Sequence, residues 1–421
     1  MRSILASLVL PALVIVVATT SVRGQVGARQ VAPFDEAPLA LQLPSSILPT
    51  IPFLPGEVDL SAVGVADSEL LTVGPSSSSS SSSGAVLIVD DDLADCPNAQ
   101  FQSVQLAVTA ASAGDTIKVC SGTYIEQITI PPGKGDLTLF SESAFQAVIK
   151  APTVMADPKA IVYVNGARNI TIRHFTITGP GGAGCNSIRY GVRVDDAGSA
   201  LITDNHITEI HDTPFSGCQN GVGVLIGRNF EHTTGFGTVV HNLIDKYQKG
   251  GVVVDGQIAT PRSNAEVAFN EIVGVGATPI IAQNGIQVSR NATANVHHNR
   301  VSLNNYALPT VSSEGILLFL ENPGTTVHHN FLFLNDDGVG LFTTGGADVS
   351  YNKSTQNDFD GLFADTDTSG NTISFNRASQ NGLFDCEDDS TGPGTAGTAN
   401  LWIKNLGDTE NRPGLCKATP R

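Results

Sequence analysis

The chain has 421 residues, 41% of them apolar and 15% charged, with 43 glycines and only 6% aromatics. That apolar fraction excludes a wholly disordered protein, and the length fits two or three ordinary domains or one elongated one. Twenty-three Lys and Arg against 40 Asp and Glu leave a formal net charge of -17, which repels phosphate backbones and removes nucleic acid as a partner.

The N-terminus opens on Met1 and Arg2, followed by an apolar run from Ile4 to Ala18 broken by Pro11, then by Val22, Arg23 and Gly24. One early positive charge, a short apolar segment and a small residue before the break match a secretory signal peptide over residues 1–24. The mature protein is therefore expected to be secreted and extracellular. No later run approaches the roughly 20 apolar residues a bilayer crossing needs, so no membrane span is expected after cleavage. Residues 25–84 are rich in Pro, Ser and Ala and end on eight serines, Ser76 to Ser83. Such composition buries too little apolar surface to offset its ordering entropy and predicts a disordered leader. The folded domain is expected to span residues 85–421.

Six cysteines follow as sequence neighbours: Cys96 and Cys120, Cys185 and Cys218, Cys386 and Cys416. An even count in an exported chain favours disulfides, and nearest-neighbour pairing is the expectation among the possible connectivities. Zinc would need tighter spacing than these cysteines offer.

From Phe101 the apolar residues Val104, Val108 and Ala111 recur at helical spacing, with a stop near Gly114 and Asp115, predicting a helix that caps the first coil. Strands are expected at Thr116 to Val119, Ile125 to Ile130 and Leu137 to Phe140. Beyond Gly191 an Asn recurs at positions 205, 242, 270, 299, 330, 352 and 376, with intervals of 37, 28, 29, 31, 22 and 24 residues. A glycine marker accompanies it at 191, 221, 251, 285, 315, 338, 361 and 382. The intervening segments are short, β-branched and of period two. Two markers in step predict a β-solenoid, the Asn occupying left-handed turn positions and forming an internal ladder of amides.

The run Ile88-Val-Asp-Asp-Asp, Phe101-Gln-Ser-Val-Gln-Leu-Ala-Val, Ala113-Gly-Asp-Thr-Ile-Lys-Val and Gly122-Thr-Tyr-Ile-Glu-Gln-Ile-Thr-Ile resembles the opening of right-handed parallel β-helix repeat proteins of the pectin lyase-like superfamily. With the coils, the resemblance covers residues 85 to 416. It implies an all-β, single-stranded right-handed parallel β-helix with an N-terminal capping α-helix, secreted, and a polysaccharide or glycan as partner. Polysaccharide lyases, glycoside hydrolases and epimerases occur in this superfamily beside non-catalytic adhesins. Their local catalytic signatures are missing here; the nearest, Asp157-Pro158-Lys159, lacks the His of the epimerase motif. The resemblance therefore implies binding or processing of an extracellular polysaccharide without naming the reaction, and a structural or adhesive protein is the alternative.

The candidate site residues come from coil register. Before the glycine marker stand Asn284, Glu314, Asp337, Asp360 and Asn381, with Asp336 beside Asp337. Side chains on successive coils lie about 5 Å apart, which suits ordinary turn caps, paired catalytic carboxylates at Asp336, Asp337 and Asp360, or a Ca2+ site at Glu314, Asp337 and Asp360. No cofactor is required by any signature, and Ca2+ is the one candidate ion. Leu317, Phe319, Phe342, Phe363 and Phe384 fall at outward positions, a stripe suited to stacking sugar rings or to being covered by a loop, the leader or a partner. Arg189 and Arg193, with Lys246 and Lys249, are the first cations to seek for an anionic sugar. A monomer is expected. The pairs His297-His298 and His328-His329, each before a ladder Asn, are expected to stack rather than to bind metal.

Overall fold

The computed structural model describes residues 84–257, 262–321 and 323–418. The expected signal peptide and leader lie outside the described residues, Gly84 excepted. Each coil contributes up to three strands. One coil runs Tyr190–Asp195, Gly198–Thr203 and His206–Thr208, and the next begins at Val222–Ile226. Calling these sheets I, II and III in that order, sheet I has ten strands and sheets II and III have twelve each, all pairing described being parallel. This is the expected right-handed parallel β-helix, the handedness being that of parallel crossovers generally.

Alternation within each short strand sends every second side chain into one continuous core. On sheet II the inward column runs Ile172, Ile202, Val239, Val267, Val296, Val327, Val349, Ile373 and Trp402, each opposite the next. These side chains are all buried. β-branched residues dominate because their restricted χ1 suits the pleat and their shape fills the lumen without voids.

The helix α1 spans Val104–Ala110, shorter than the apolar spacing suggested. Phe101 lies outside it, bridged to Val89. Ser103 Oγ accepts from Leu106 N at 3.2 Å, and Glu126 accepts from Val104 N and Gln105 N at 2.8 and 3.0 Å. Val104, Ala107 and Val108 close the apolar end of the lumen. The strand expected over Ile125 to Ile130 is two, Gly122–Ile125 in sheet III and Ile128–Ile130 in sheet I, because the chain turns a corner between them.

The Asn ladder continues to an eighth member, Asn405. Each amide donates to the carbonyl oxygen of its successor, as Asn205 to Asn242 at 3.1 Å and Asn376 to Asn405 at 3.0 Å. The Asn residues themselves are not left-handed, contrary to the expectation. The residue before each one is: Asp204, His241, Phe269, His298, His329, Tyr351, Phe375 and Lys404 have φ between 50° and 57°. That residue makes the bend and turns its own side chain outward, leaving Asn to point inward. Six of these outward side chains stack, His241, Phe269, His298, His329, Tyr351 and Phe375, with centroids 4.9–5.2 Å apart. The expected stacking of His297 on His328 is also present, at 4.9 Å and 2°. A second amide ladder, Asn304, Asn335, Asn357 and Asn381, ends on Asp385.

The glycine markers need one correction. Register places Gly223, not Gly221, opposite Gly191 and Gly251, and the column continues through Gly285, Gly315, Gly338 and Gly361. A Cβ at any of these seven positions would sit 2.5–2.8 Å from a carbonyl oxygen of the following coil. Close approach of backbones, rather than a positive φ, demands glycine there. Gly382 is off the column too, since Cys386 is the residue opposite Leu362.

The three disulfides join Cys96 to Cys120, Cys185 to Cys218 and Cys386 to Cys416, the expected neighbour pairing. Among the described residues no helix is long and apolar enough to cross a membrane.

Candidate functional site on the outer face of sheet I

Sheets II and III alternate between buried and exposed positions, as in Asn264–Ala268. Sheet I does not. Every residue of Val222–Ile226, Gly250–Asp255 and Asn284–Ser289 is buried, so this sheet is covered on both faces. Its outward side chains divide into an apolar group, Tyr190, Val222, Leu225 and Val253, a charged group, and a second apolar group further along the axis.

The charged group is built from strand ends. Arg193 and Asp195 lie two residues apart on one strand and so share a face. The Arg193 guanidinium is enclosed between the rings of Tyr163 and Tyr190, 5.4 and 5.3 Å from their centroids. Its Nε donates to Asp195 Oδ2 at 2.6 Å, and its terminal nitrogens donate to both oxygens of Glu231. Two coils on, Asp255 accepts from Ser289 Oγ at 3.0 Å, Arg290 Nη1 at 3.3 Å and Asn229 N at 2.8 Å. Arg228 lies 3.9 Å from Asp255 and 3.8 Å from Glu231. Phe230 carries Arg228 and Arg290 over its ring at 5.3 and 5.2 Å.

Burial sets the proton affinities here. It pushes the Asp195 carboxyl up despite Arg193, and does the same to Asp255 despite Arg290. For Glu231, burial also pulls upward, but the hydrogen bond and charge of Arg193 outweigh it and hold the carboxyl below its ordinary range. Burial raises the Tyr163 phenol, with Asp195 adding to the effect through its charge and a hydrogen bond. Tyr163 and Asp195 thus both hold their protons more tightly than usual, beside a fixed guanidinium that can stabilise negative charge. Sequence reading found Arg193 but missed Tyr163, Asp195, Arg228, Glu231, Asp255 and Arg290. The repeated Val-Asp at strand ends, Val194-Asp195 and Val254-Asp255, was the available signal.

The carboxylate row is real in part. Glu314 stands opposite Asp337. Asn284 Oδ1 accepts from Glu314 N at 3.0 Å, Asp337 Oδ1 from Asp360 N at 2.8 Å, and Asp360 Oδ1 from Phe384 N at 2.8 Å. Each side chain therefore caps a backbone donor one coil on, the turn chemistry that Asp and Asn commonly supply. Asn381 is not in the row; it belongs to the second amide ladder. Asp336 is turned aside, accepting from Tyr306 N and Ser313 N at 2.8 and 2.9 Å. Burial pushes its carboxyl up to about 7, against those two N–H groups and with help from Asp337 and Asp358. Among the described residues, the carboxylates whose oxygens converge within 4.8 Å are Asp90, Asp91 and Asp92, rather than Glu314, Asp337 and Asp360.

The aromatic stripe is covered. Leu317, Phe342 and Phe363 are buried at 0–2% and form a cluster with the half-buried Phe319. Phe342 and Phe363 meet at 5.3 Å, and Arg290 lies over the Phe319 ring at 5.8 Å. Phe384 is out of the column, because register places Glu387 opposite Phe363. Of the proposed cations, Arg193 is fully buried and internally paired, and Lys249 is buried with Nζ donating to Ala282 O at 2.6 Å. Arg189 is half-buried at the mouth of the strand, and Lys246 pairs with Glu209 at 2.8 Å. A shallow depression of about 440 Å³ on sheet II, between Asn169, Leu201 and Phe236, contains no titratable side chain and offers no comparable chemistry.

No family model and no curated protein matches the chain. Solved structures share its architecture, two of them as follows. An alginate lyase from Paenibacillus sp. str. FPU-7 superposes with a TM-score of 0.50 and 13% identity, covering 66% of this chain and 92% of that one. A GH136 lacto-N-biosidase from Eubacterium ramulus gives a TM-score of 0.52 and 12% identity, covering 79% of this chain and 66% of that one. At these identities the likeness is one of fold.

Proposed function

We propose that this is an exported β-helix protein that binds or processes an extracellular polysaccharide at the charged group on sheet I, which reaches solvent at the half-buried Tyr163 and the exposed Glu231. One observation carries the reading. A face that a purely structural solenoid would fill with apolar or solvated residues instead holds Arg193, Asp195, Asp255 and Glu314, all buried, on three strands of sheet I. Keeping charges out of water is costly, and such groups concentrate where chemistry or recognition needs them. The coil spacing of about 4.8 Å is of the same order as a sugar unit, so a glycan laid along the axis would keep step with the coils. The two solved structures of similar fold are an alginate lyase and a lacto-N-biosidase, which supports a glycan as the ligand class. In this reading Asp195 holds the proton, Arg193 stabilises charge, and Asp336, Asp337 and Asp360 are the remaining candidate acids. The signal-like N-terminus and the three disulfides support export.

A structural or adhesive role is the second reading, favoured by the internal saturation of Arg193 by Asp195 and Glu231. The full chain incubated with pectate, alginate and neutral glycans, with and without Ca2+, separates the two. Turnover that is lost in Asp195→Asn or in Asp337→Asn with Asp360→Asn supports processing. Neither turnover nor binding on any of these glycans would leave the structural role.

A further inference from the structure

Sheet III presents a face that the coil markers did not reveal. Over the later coils its outward positions fall into two register columns. In the first, Arg300 stands opposite Phe331, which is followed by Lys353, Arg377, Leu406 and Lys417. In the second, Ser302 is followed by Phe333, Thr355 and Ser379. Neither column contains a carboxylate over these coils. Acid begins one coil earlier, at Glu271, 3.8 Å from Arg300 Nε.

The placement is unexpected for this composition. Residues 301–421 contain 15 acids and 6 bases, yet three of the six bases, Lys353, Arg377 and Lys417, share this one column. Lys353 and Arg377 are direct partners across adjacent strands, and like charges so placed are destabilising. A solvated edge on a chain with an excess of acid would gain by alternating the signs. Two of the column's cations rest on aromatic rings instead: Arg300 lies 5.1 Å from the Phe331 centroid and 4.2 Å from that of Phe333, and Lys353 Nζ lies 4.8 Å from Phe331. Each such contact restrains a head group that would otherwise wander. Lys353, Arg377 and Lys417 are exposed.

We propose that this strip is a binding track for a linear uronate polysaccharide, separate from the site on sheet I. From Arg300 to Lys417 the strip crosses five coil intervals, or about 24 Å. A polymer with one carboxylate per sugar, laid along the axis, brings its charges to Arg300, Lys353, Arg377 and Lys417 in turn, and Phe331 and Phe333 offer apolar surface to a ring between them. The track requires an acidic glycan as ligand but no chemistry on sheet I, so the two readings fail separately.

De-esterified polygalacturonate is the probe, measured by titration calorimetry with the full chain at low and high salt. Binding is expected to weaken with salt, and the triple variant Lys353→Gln, Arg377→Gln, Lys417→Gln is expected to lose affinity about tenfold or more. Lys353→Arg should retain it. Binding by the triple variant equal to the parent, or equal affinity for neutral dextran, would overturn the proposal. So would capture of phosphatidylserine vesicles without capture of polygalacturonate.

Discussion

Asn299 Oδ1 accepts two hydrogen bonds from Asn270, one from its backbone N–H and one from its side-chain amide, each at 3.0 Å. A single oxygen thus fixes both the turn and the rung of the preceding coil. Asn299 in turn donates to Val267 O at 2.8 Å and Asn330 Oδ1 at 3.0 Å.

Replacing Asn299 by Ala removes those partners in a buried place and leaves the Asn270 donors and the Val267 acceptor unmet. A loss of about 2–4 kcal/mol in unfolding free energy is expected, read from the denaturant midpoint. A loss under about 0.5 kcal/mol would mean that water replaces the rung.

The glycine column makes a second test. A Cβ on Gly285 would meet Val301 Cγ1 at 2.3 Å and Gly315 O at 2.6 Å, and backbone cannot yield as a side chain can. Gly285→Ala should cost at least about 2 kcal/mol, whereas Gly135→Ala, whose nearest contact is an ordinary 3.4 Å, should be close to neutral. Thermal melting of both variants decides it.

Asp336 gives a pH test. Its folded-state pKa, about 7, lies above the unfolded value, so the native state holds the extra proton. That contribution is fully present below the unfolded carboxylate pKa and is lost as pH rises through 7. Asp336→Asn should therefore raise the melting temperature more at pH 8 than at pH 5, and leave it nearly unchanged only below the unfolded carboxylate pKa. An equal shift at both pH values would show that the carboxyl is ionised throughout.

The histidine stack has the opposite sign. Burial, together with the neighbouring imidazoles, lowers the proton affinity of His298 and His328. The unfolded chain then takes up more protons, so this contribution is present above about pH 6.5 and is lost as pH falls through that value. His298→Gln with His328→Gln should flatten the decline in melting temperature between pH 7.5 and 5.5. A decline as steep as the parent's would place its origin elsewhere.

Periodicity made the solenoid legible. Asn205 to Asn376 and the glycine markers repeat because each coil must solve the same packing problem, and a local solution repeated in space is repeated in sequence. The disulfide neighbours, the histidine stacking and the capping helix followed from the same local logic. Single markers could not fix register: Gly221, Gly382, Asn381 and Phe384 match the pattern by composition but are offset by loop insertions between sheet III and sheet I.

The outer faces were a different matter. Whether an outward side chain is bare or covered depends on loops from other coils, as Glu231 closing over Arg193 from 38 residues away illustrates. Nor does sequence alone show that Arg300, Lys353, Arg377 and Lys417, scattered over more than a hundred residues, stand in one line. By itself the chain determined what repeats, since strand alternation and rung formation are short-range. Only the tertiary structure decided which charges were buried together and which stood exposed in a row, because coils of unequal length bring distant residues to the same height.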